Sequence, residues 1–489
     1  MTDLVYATAH DVTSLEPTQA SGWADHTATL AIFGALMFNF DGSNGKVGYW
    51  PYLASEVRAR DPLSWAVRLR PGLTFHNGEP LDAQALKFSI DRIQKPDFPS
   101  RRFFHSAPIE RVEVEDELTC VIHTSEPIAI LPARLLRADA YPVAPSAYGP
   151  DPATSALTPV GAGPFRFVSY EKGDRLVLSV FGGFSDPRGL ARPNFDRLVM
   201  RVITDPKTLV HEMAAGRIDI APLSVDQVEA FSAIEGVRVV SAPDTSRMSF
   251  EINQKAHPAL ADRRVRQAIN LAIDVDALCE RLTGGAGRPI ATLVNPPNAD
   301  PALTPYGYDV RRARTLLAEA GYGDGFAIEI DWSTSPDRGQ IAEALVPYLE
   351  AVGIAVTAVN DKDWAGAYQP QQVEGTLGGL HAHGHAGVEM TAETDLWPIH
   401  PGREANSTNW QGRAAERFVA LYTELQKAVE PAEQERLGNA LQAIVHEEAI
   451  SVPLWQLPRY VALGPRVERF NPYPGGHNED FWAVRMVEG

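Results

Sequence analysis

The sequence predicts an α/β protein built from more than one domain. Three observations carry that expectation. The chain has 489 residues, and at roughly 150 residues per domain that is about three domains' worth. Strand-like runs alternate with amphipathic helical stretches, most regularly from about Arg247 onward. No repeat of fixed period and no low-complexity tract breaks the alternation.

Taken in order, Leu4–Ala7 opens as a strand and a helix is expected around Thr27–Phe38. Trp65–Arg70 alternates as a strand, Pro71-Gly72 turns it, Leu73–His76 extends again, and Asn77-Gly78 is a second turn. Asp82 is placed to cap a helix over Ala83–Ile93. Val112–His123 reads as a strand pair about Glu115-Asp116. The stretch Pro142–Gly163 is dense in Pro, Ser, Gly and Asp, and reads as a loop where the chain crosses between domains. Phe165–Tyr170 and Arg175–Val180 form a hairpin about Lys172-Gly173-Asp174. Leu198–Ile203 is a strand, Asp205–Ala215 a helix stopped by Gly216, and Ile218–Ile220 a further strand. Helical patterns follow over Asp262–Leu282, Val310–Ala320, Asp337–Val352, Ala414–Glu430 and Ala432–Glu448, with strands Phe326–Asp331 and Ile354–Val359 between them.

Composition excludes several classes. Hydrophobic residues at 44% and charged residues at 22% are globular values, so bulk disorder is excluded. Lys and Arg number 44 against 62 Asp and Glu, a net charge of -18. Such a chain repels phosphate backbones, and no nucleic-acid partner is expected. The longest apolar run, Leu30–Phe38, is broken by Gly34 and falls short of the ~18 residues a membrane span needs. Met1-Thr2-Asp3 leads straight into the first strand. With no basic-then-apolar leader ahead of it, the chain is expected either to be cytosolic or to have lost a signal.

Cys120 and Cys279 form no C-x-x-C pair, which excludes zinc-ribbon and thioredoxin readings. Two reduced, buried thiols are expected, with a disulfide between them left open. No G-x-S-x-G elbow and no phosphate-binding loop is present. His211-Glu212 and His446-Glu447 each lack the second His that a zinc-protease helix carries four residues on. Gly284–Gly287 reads as a turn. No catalytic residue and no cofactor is therefore expected.

Seven segments in register carry a family resemblance. WAVRLRPGLTFHNGEPLDAQALKFSIDRI at Trp65–Ile93 is followed by GAGPFRFVSY at Gly161–Tyr170 and MAAGRIDI at Met213–Ile220. DRRVRQAINLAID at Asp262–Asp274, ARTLLAEAGYGDG at Ala313–Gly325, LVPYLEAVGIAV at Leu345–Val356 and EEAISVPL at Glu447–Leu454 complete the set. Together they resemble bacterial extracellular solute-binding proteins of the peptide/nickel class, family 5, which serve ABC importers. Each segment also has a plain structural reading. Gly72 and Gly78 serve turns, Gly161 and Gly163 allow positive φ, and Arg263, Arg264 and Arg266 cap and pair around a helix start.

The resemblance implies a two-lobed periplasmic-binding-protein fold with a ligand cleft between the lobes. The first lobe is expected at 1–40, 161–245 and 463–489, an inserted domain at 41–160, and the second lobe at 246–462. The resemblance also implies export to the periplasm, a small-molecule ligand, a membrane permease as partner and a monomeric state.

Ligands of the family are touched by four regions. In the first, this chain offers Trp23, Asp25 and His26. The inserted domain offers Arg101, Arg102, Phe104 and His105, with Arg134 and Arg137 beyond them. Nickel-binding relatives place Arg and aromatic contacts in these two segments. A guanidinium fork grips a carboxylate bidentately, so two Arg clusters in an acidic chain point to an anionic group. Peptide-binding relatives carry G-W-x-x-D-Y-x-D-P, whose Asp meets the peptide's amino group; this chain reads LHAHGHAGVE at Leu380–Glu389. His383 or His385 stands for the Trp, and Glu389 or Asp395 substitutes for the Asp. His381, His383 and His385 are spaced to share one strand face. His383, His385 and His400 are the expected metal ligands if the solute is a metal chelate. Asn409 and Trp410 close the region. The leading expectation is the binding component of an ABC importer for a small anionic peptide-like or opine-like solute. A metal-chelate binder and a secreted metal-dependent hydrolase are the alternatives.

Overall fold

The computed structural model describes residues 2–20, 22–95, 98, 108–148, 158–296, 298–333, 336–382, 389–403, 406–475 and 478–488. The chain divides into two compact units, 1–243 with 459–489, and 244–458. It passes between them twice, in the strands Arg238–Ile252 and Ser451–Leu463.

In the first unit the strand Asp3–Thr8 lies parallel to Arg197–Val202, with Asp3 opposite Arg197. Hairpin partners Arg175–Val180 and Phe165–Glu171 extend the sheet on that side. On the other side come Ile220–Leu223 and then residues 460–463. A separate antiparallel sheet runs Ala54–Asp61, Ser64–Leu69, Thr119–Thr124, Ile109–Val114. The expected helix over Ala83–Ile93 forms there, with the Asp82 carboxylate accepting from the Ala85 amide at 2.9 Å. Leu86, Ile90 and Ile93 on its buried side join Val67, Leu69 and Ile122 of the sheet in one core.

The second unit has a sheet ordered Ile354–Asp361, Phe326–Trp332, Leu380–Ala382 and Arg238–Ile252. The first three strands are parallel, and Arg238–Ile252 runs antiparallel to Leu380–Ala382. Helices Arg263–Ala272, Val310–Glu319 and Pro336–Glu350 pack on it through Val265, Leu317, Leu345 and neighbours. A second core, around Trp410, Phe418, Tyr422 and Leu441, joins the helices Arg413–Leu425 and Pro431–Glu447.

Three expectations are corrected. The first helix spans Trp23–Phe33, not Thr27–Phe38, because Gly34 ends it at φ 70° and Met37–Asp41 is a strand. Asp262–Leu282 is two helices, Arg263–Ala272 and Val275–Thr283: Ile273 leaves helical geometry and the Asp274 carboxylate caps the second by accepting from the Ala277 amide. Gly161 and Gly163 are not at positive φ. Glycine is needed there for close approach, since a Cβ on Gly161 would lie 2.2 Å from the Ile32 carbonyl oxygen and one on Gly163 2.7 Å from that of Ala31. Gly72 and Gly78 do adopt positive φ. Arg264 pairs with Asp262 at 2.7 Å and Arg263 with Glu447 at 2.9 Å around the start of their helix. Cys120 lies in the first unit and Cys279 in the second, both free and buried. Among the described residues no helix is long and apolar enough to cross a membrane.

Candidate binding residues

At the start of the first helix, Trp23 is half exposed while Asp25 and His26 are buried. Asp25 is the third residue of a capping box: its carboxylate accepts from the Gly22 amide at 3.2 Å. It also accepts from the Thr13 amide at 2.7 Å and the Thr13 hydroxyl at 2.6 Å. The preceding loop is thereby tied to the helix start. The short turn at Ala138–Ala140 packs on this helix, and Arg137, buried at its N-terminal edge, faces Asp139 at 3.6 Å. Arg134 closes the short helix Leu131–Arg134. Beside them a buried pair joins Arg92 to Glu16 at 2.9 Å, with the guanidinium also over the rings of Phe98 and Tyr148. Trp23, Asp25, His26 and Arg137 are thus carried by elements in contact. Arg101, Arg102, Phe104 and His105 lie outside the described residues.

The second unit carries the denser polar group. Parallel strands of an α/β sheet present ligand-binding residues at their carboxyl ends. Here those ends hold Asp331, His381 and Asn360. Glu251 of the antiparallel strand is paired with His381, and His381 with Asp331, so a polar row crosses the sheet. His381 uses both ring nitrogens: Nδ1 is 2.8 Å from the Tyr368 hydroxyl and Nε2 2.6 Å from the Ser407 carbonyl oxygen. Burial lowers its pKa to about 4, so the ring is neutral. Asp331 accepts from the Gly378 amide at 2.6 Å and pairs with Lys362 at 3.0 Å.

On the strand Arg238–Ile252, Met248, Phe250 and Ile252 face the apolar core. Arg247, Ser249 and Glu251 alternate with them, and all three are buried. Burial raises the Glu251 carboxyl to about 7, against the pull of Arg247, Arg338 and Arg403. Asp395 faces Arg247 at 3.6 Å and accepts from the Asn295 amide at 2.8 Å.

His400 follows the short turn Trp397–Ile399 and is packed among Trp397, Phe418 and Tyr422. Its Nδ1 accepts from the Gly402 amide at 3.0 Å, and burial lowers its pKa. Asn409, at φ 51°, donates to the Asn253 side-chain oxygen at 2.8 Å. Trp410 is buried edge-on against Phe418. Glu389 is buried at the start of the segment that leads to them. His383 and His385 lie outside the described residues. Arg247 and Glu251 are absent from the residues the sequence nominates. Their signal is the alternation R-M-S-F-E-I at Arg247–Ile252.

The geometry is that of an α/β chain of two units with polar side chains gathered at the strand ends of the second. Residues 49–404 match the family described as bacterial extracellular solute-binding proteins, family 5. The chain belongs to that family. It is 29% identical over 405 residues to the glutathione-binding protein GsiB of Pectobacterium atrosepticum, covering 82% of this chain and 77% of the relative. HbpA2 of Haemophilus parasuis superposes with a TM-score of 0.86 at 20% identity, over 99% of this chain and 100% of the other. NikA of Brucella suis, solved with Fe(III)-EDTA, gives 0.85 at 21% identity over 99% of both chains. The fold is that of the two-lobed periplasmic binding proteins. Its role is to bind a small solute for an ABC importer and deliver it to the membrane permease.

Proposed function

We propose that this chain, exported and monomeric, captures a small anionic peptide-like solute of the glutathione kind. The observation that carries this reading is its similarity to a glutathione-binding protein over four-fifths of its length. The charge pattern supports it: a chain of net charge -18 keeps arginines at buried positions, where a guanidinium grips a carboxylate best. In the first unit we assign ligand contact to Trp23, His26, Arg134 and Arg137, with Asp25 holding their loop. In the second we assign it to Glu389, His400 and Asn409, with Trp410 as their packing. We further propose residues 41–160 as a domain inserted in the first lobe. The metal-chelate alternative rests on His383, His385 and His400. Among the described residues no group of three His, Cys, Asp or Glu side chains is placed to hold a metal ion.

The test is calorimetry and thermal unfolding with reduced glutathione. A solute that binds only the folded state adds about 2.7 kcal/mol of apparent stability at one hundred times its Kd. The expected result is a saturable heat and a raised melting temperature. No shift at millimolar glutathione overturns the reading.

A further inference from the structure

Among the described residues, the buried polar face of Arg247, Ser249 and Glu251 keeps several atoms without a hydrogen bond. Along an extended strand, residues 247, 249 and 251 point to one side, and Arg247 and Glu251 stand about 13 Å apart at the backbone. Long side chains shorten that gap. Arg247 is 7% exposed and Glu251 5% exposed. Among the described residues, Nε and Nη1 of Arg247 and Oε2 of Glu251 have no hydrogen-bond partner. The nearest opposite groups stand beyond hydrogen-bond distance of these atoms. Arg247 Nη2 donates to the Asp395 carbonyl oxygen at 3.1 Å, and the Asp395 carboxylate, 3.6 Å from Nη1, accepts from Asn295. His381 Nδ1 is 3.8 Å from Glu251 Oε2 and is bonded to Tyr368 instead. A buried donor pair and a buried acceptor on one face ask for a ligand that supplies an acceptor and a donor close together.

We propose that Arg247 and Glu251 hold the α-amino-acid head of the solute, its α-carboxylate on the Arg247 guanidinium and its α-ammonium on Glu251 Oε2. The proposal rests on the peptide-like reading above and narrows it to a substrate class. An ordinary peptide has an ammonium at one end and its α-carboxylate at the other. A γ-glutamyl peptide carries both on one carbon, an arrangement that serves both groups at once. It also accounts for the absence of the G-W-x-x-D run through which peptide-binding relatives meet an amino group alone.

The charged and titratable groups around Glu251 set the pH response. Arg247 lies on its own strand, His381 on the paired strand, and Tyr368 beside His381. Arg338 and Arg403 act on it from the helix Pro336–Glu350 and from the segment after His400. His381 is neutral over the working range. Glu251 is therefore the group here that changes charge near neutrality, and an arriving ammonium expels its proton.

The experiment uses the whole chain and compares glutathione, its α-glutamyl isomer and N-acetyl-glutathione, in wild type and in Glu251→Gln. Wild type is expected to bind glutathione at least ten-fold more tightly than either analogue, and to release protons near pH 7 when titrated in buffers of differing ionisation heat. Glu251→Gln is expected to lose both the preference over the N-acetyl analogue and the proton release, while melting no lower than wild type. Equal preference in the variant, or wild-type binding without proton release, overturns the proposal. If wild type binds no glutathione, the functional reading fails, and a mixture of other γ-glutamyl dipeptides and free amino acids is then screened by native mass spectrometry. Capture by wild type and not by Glu251→Gln supports the proposal; no capture, or equal capture by both, overturns it.

Discussion

In the first unit the buried charges meet each other. Arg92 reaches Glu16, Arg459 reaches Glu479, and Arg188 reaches Asp186 and Asp480. In the second, Arg247 and Glu251 share a strand face, and their nearest opposite groups stand farther off, Asp395 at 3.6 Å and His381 at 3.8 Å. Charges at contact distance hold a fold; charges held farther apart under burial leave room for something that arrives. The contrast separates residues whose loss is felt in folding from residues whose loss is felt in binding.

The largest effect should come from breaking a close pair. Arg92→Ala strands the Glu16 carboxylate in the core, at a cost of about 3–5 kcal/mol. Urea unfolding measures it, and the double change Arg92→Met with Glu16→Gln should recover most of the loss. A single variant as stable as wild type would remove the contrast from this side.

Next in size is a pH effect at Glu251. Its carboxyl sits near 4.5 when unfolded and at about 7 in the native chain. Between those values the native state holds a proton that the unfolded state has released. The resulting stability is complete below about pH 4.5 and lost as pH rises through 7. At 1.36 kcal/mol per pKa unit the change is about 3 kcal/mol. Measured against Glu251→Gln, wild type should lose that margin between pH 4.5 and 8. A constant difference across this range would mean that Glu251 is paired after all.

The smallest effect sharpens the comparison by being the same on both sides. Asp205 caps a helix in the first unit through the Thr208 amide, and Asp274 caps one in the second through the Ala277 amide. Each change to Ala should cost about 1 kcal/mol. Equal costs would show that local helix chemistry is alike in the two units and that the difference lies in the buried charges.

Much of this architecture is legible in the residues themselves. Helices with a side-chain cap and an apolar stripe, such as Ala83–Ile93 behind Asp82, declare both ends. The helix break at Ile273 is harder to see, because Asp274 reads equally well as a surface residue inside one long helix. The family resemblance finds the solute-binding role, since it rests on seven segments spread along the chain. The polar face of Arg247, Ser249 and Glu251 is harder to find. Alternation of polar and apolar residues describes a solvated strand face just as well as a buried one. Only the elements packed over the sheet, hundreds of residues apart in part, decide which it is. His381 is similar: its spacing from His383 and His385 suggests a shared ligand face, yet Tyr368 and Ser407 take both of its nitrogens.

The two cysteines give each half of the molecule its own chemical clock. Burial raises the Cys120 thiol to about 12 and moves the Cys279 thiol in the same direction, so neither is a ready nucleophile while its unit stays folded. A thiol-reactive probe applied in brief pulses during unfolding would mark Cys120 when the first unit opens and Cys279 when the second does. Peptide mapping then tells the two apart, and a solute added beforehand would reveal whether its protection reaches one half or both.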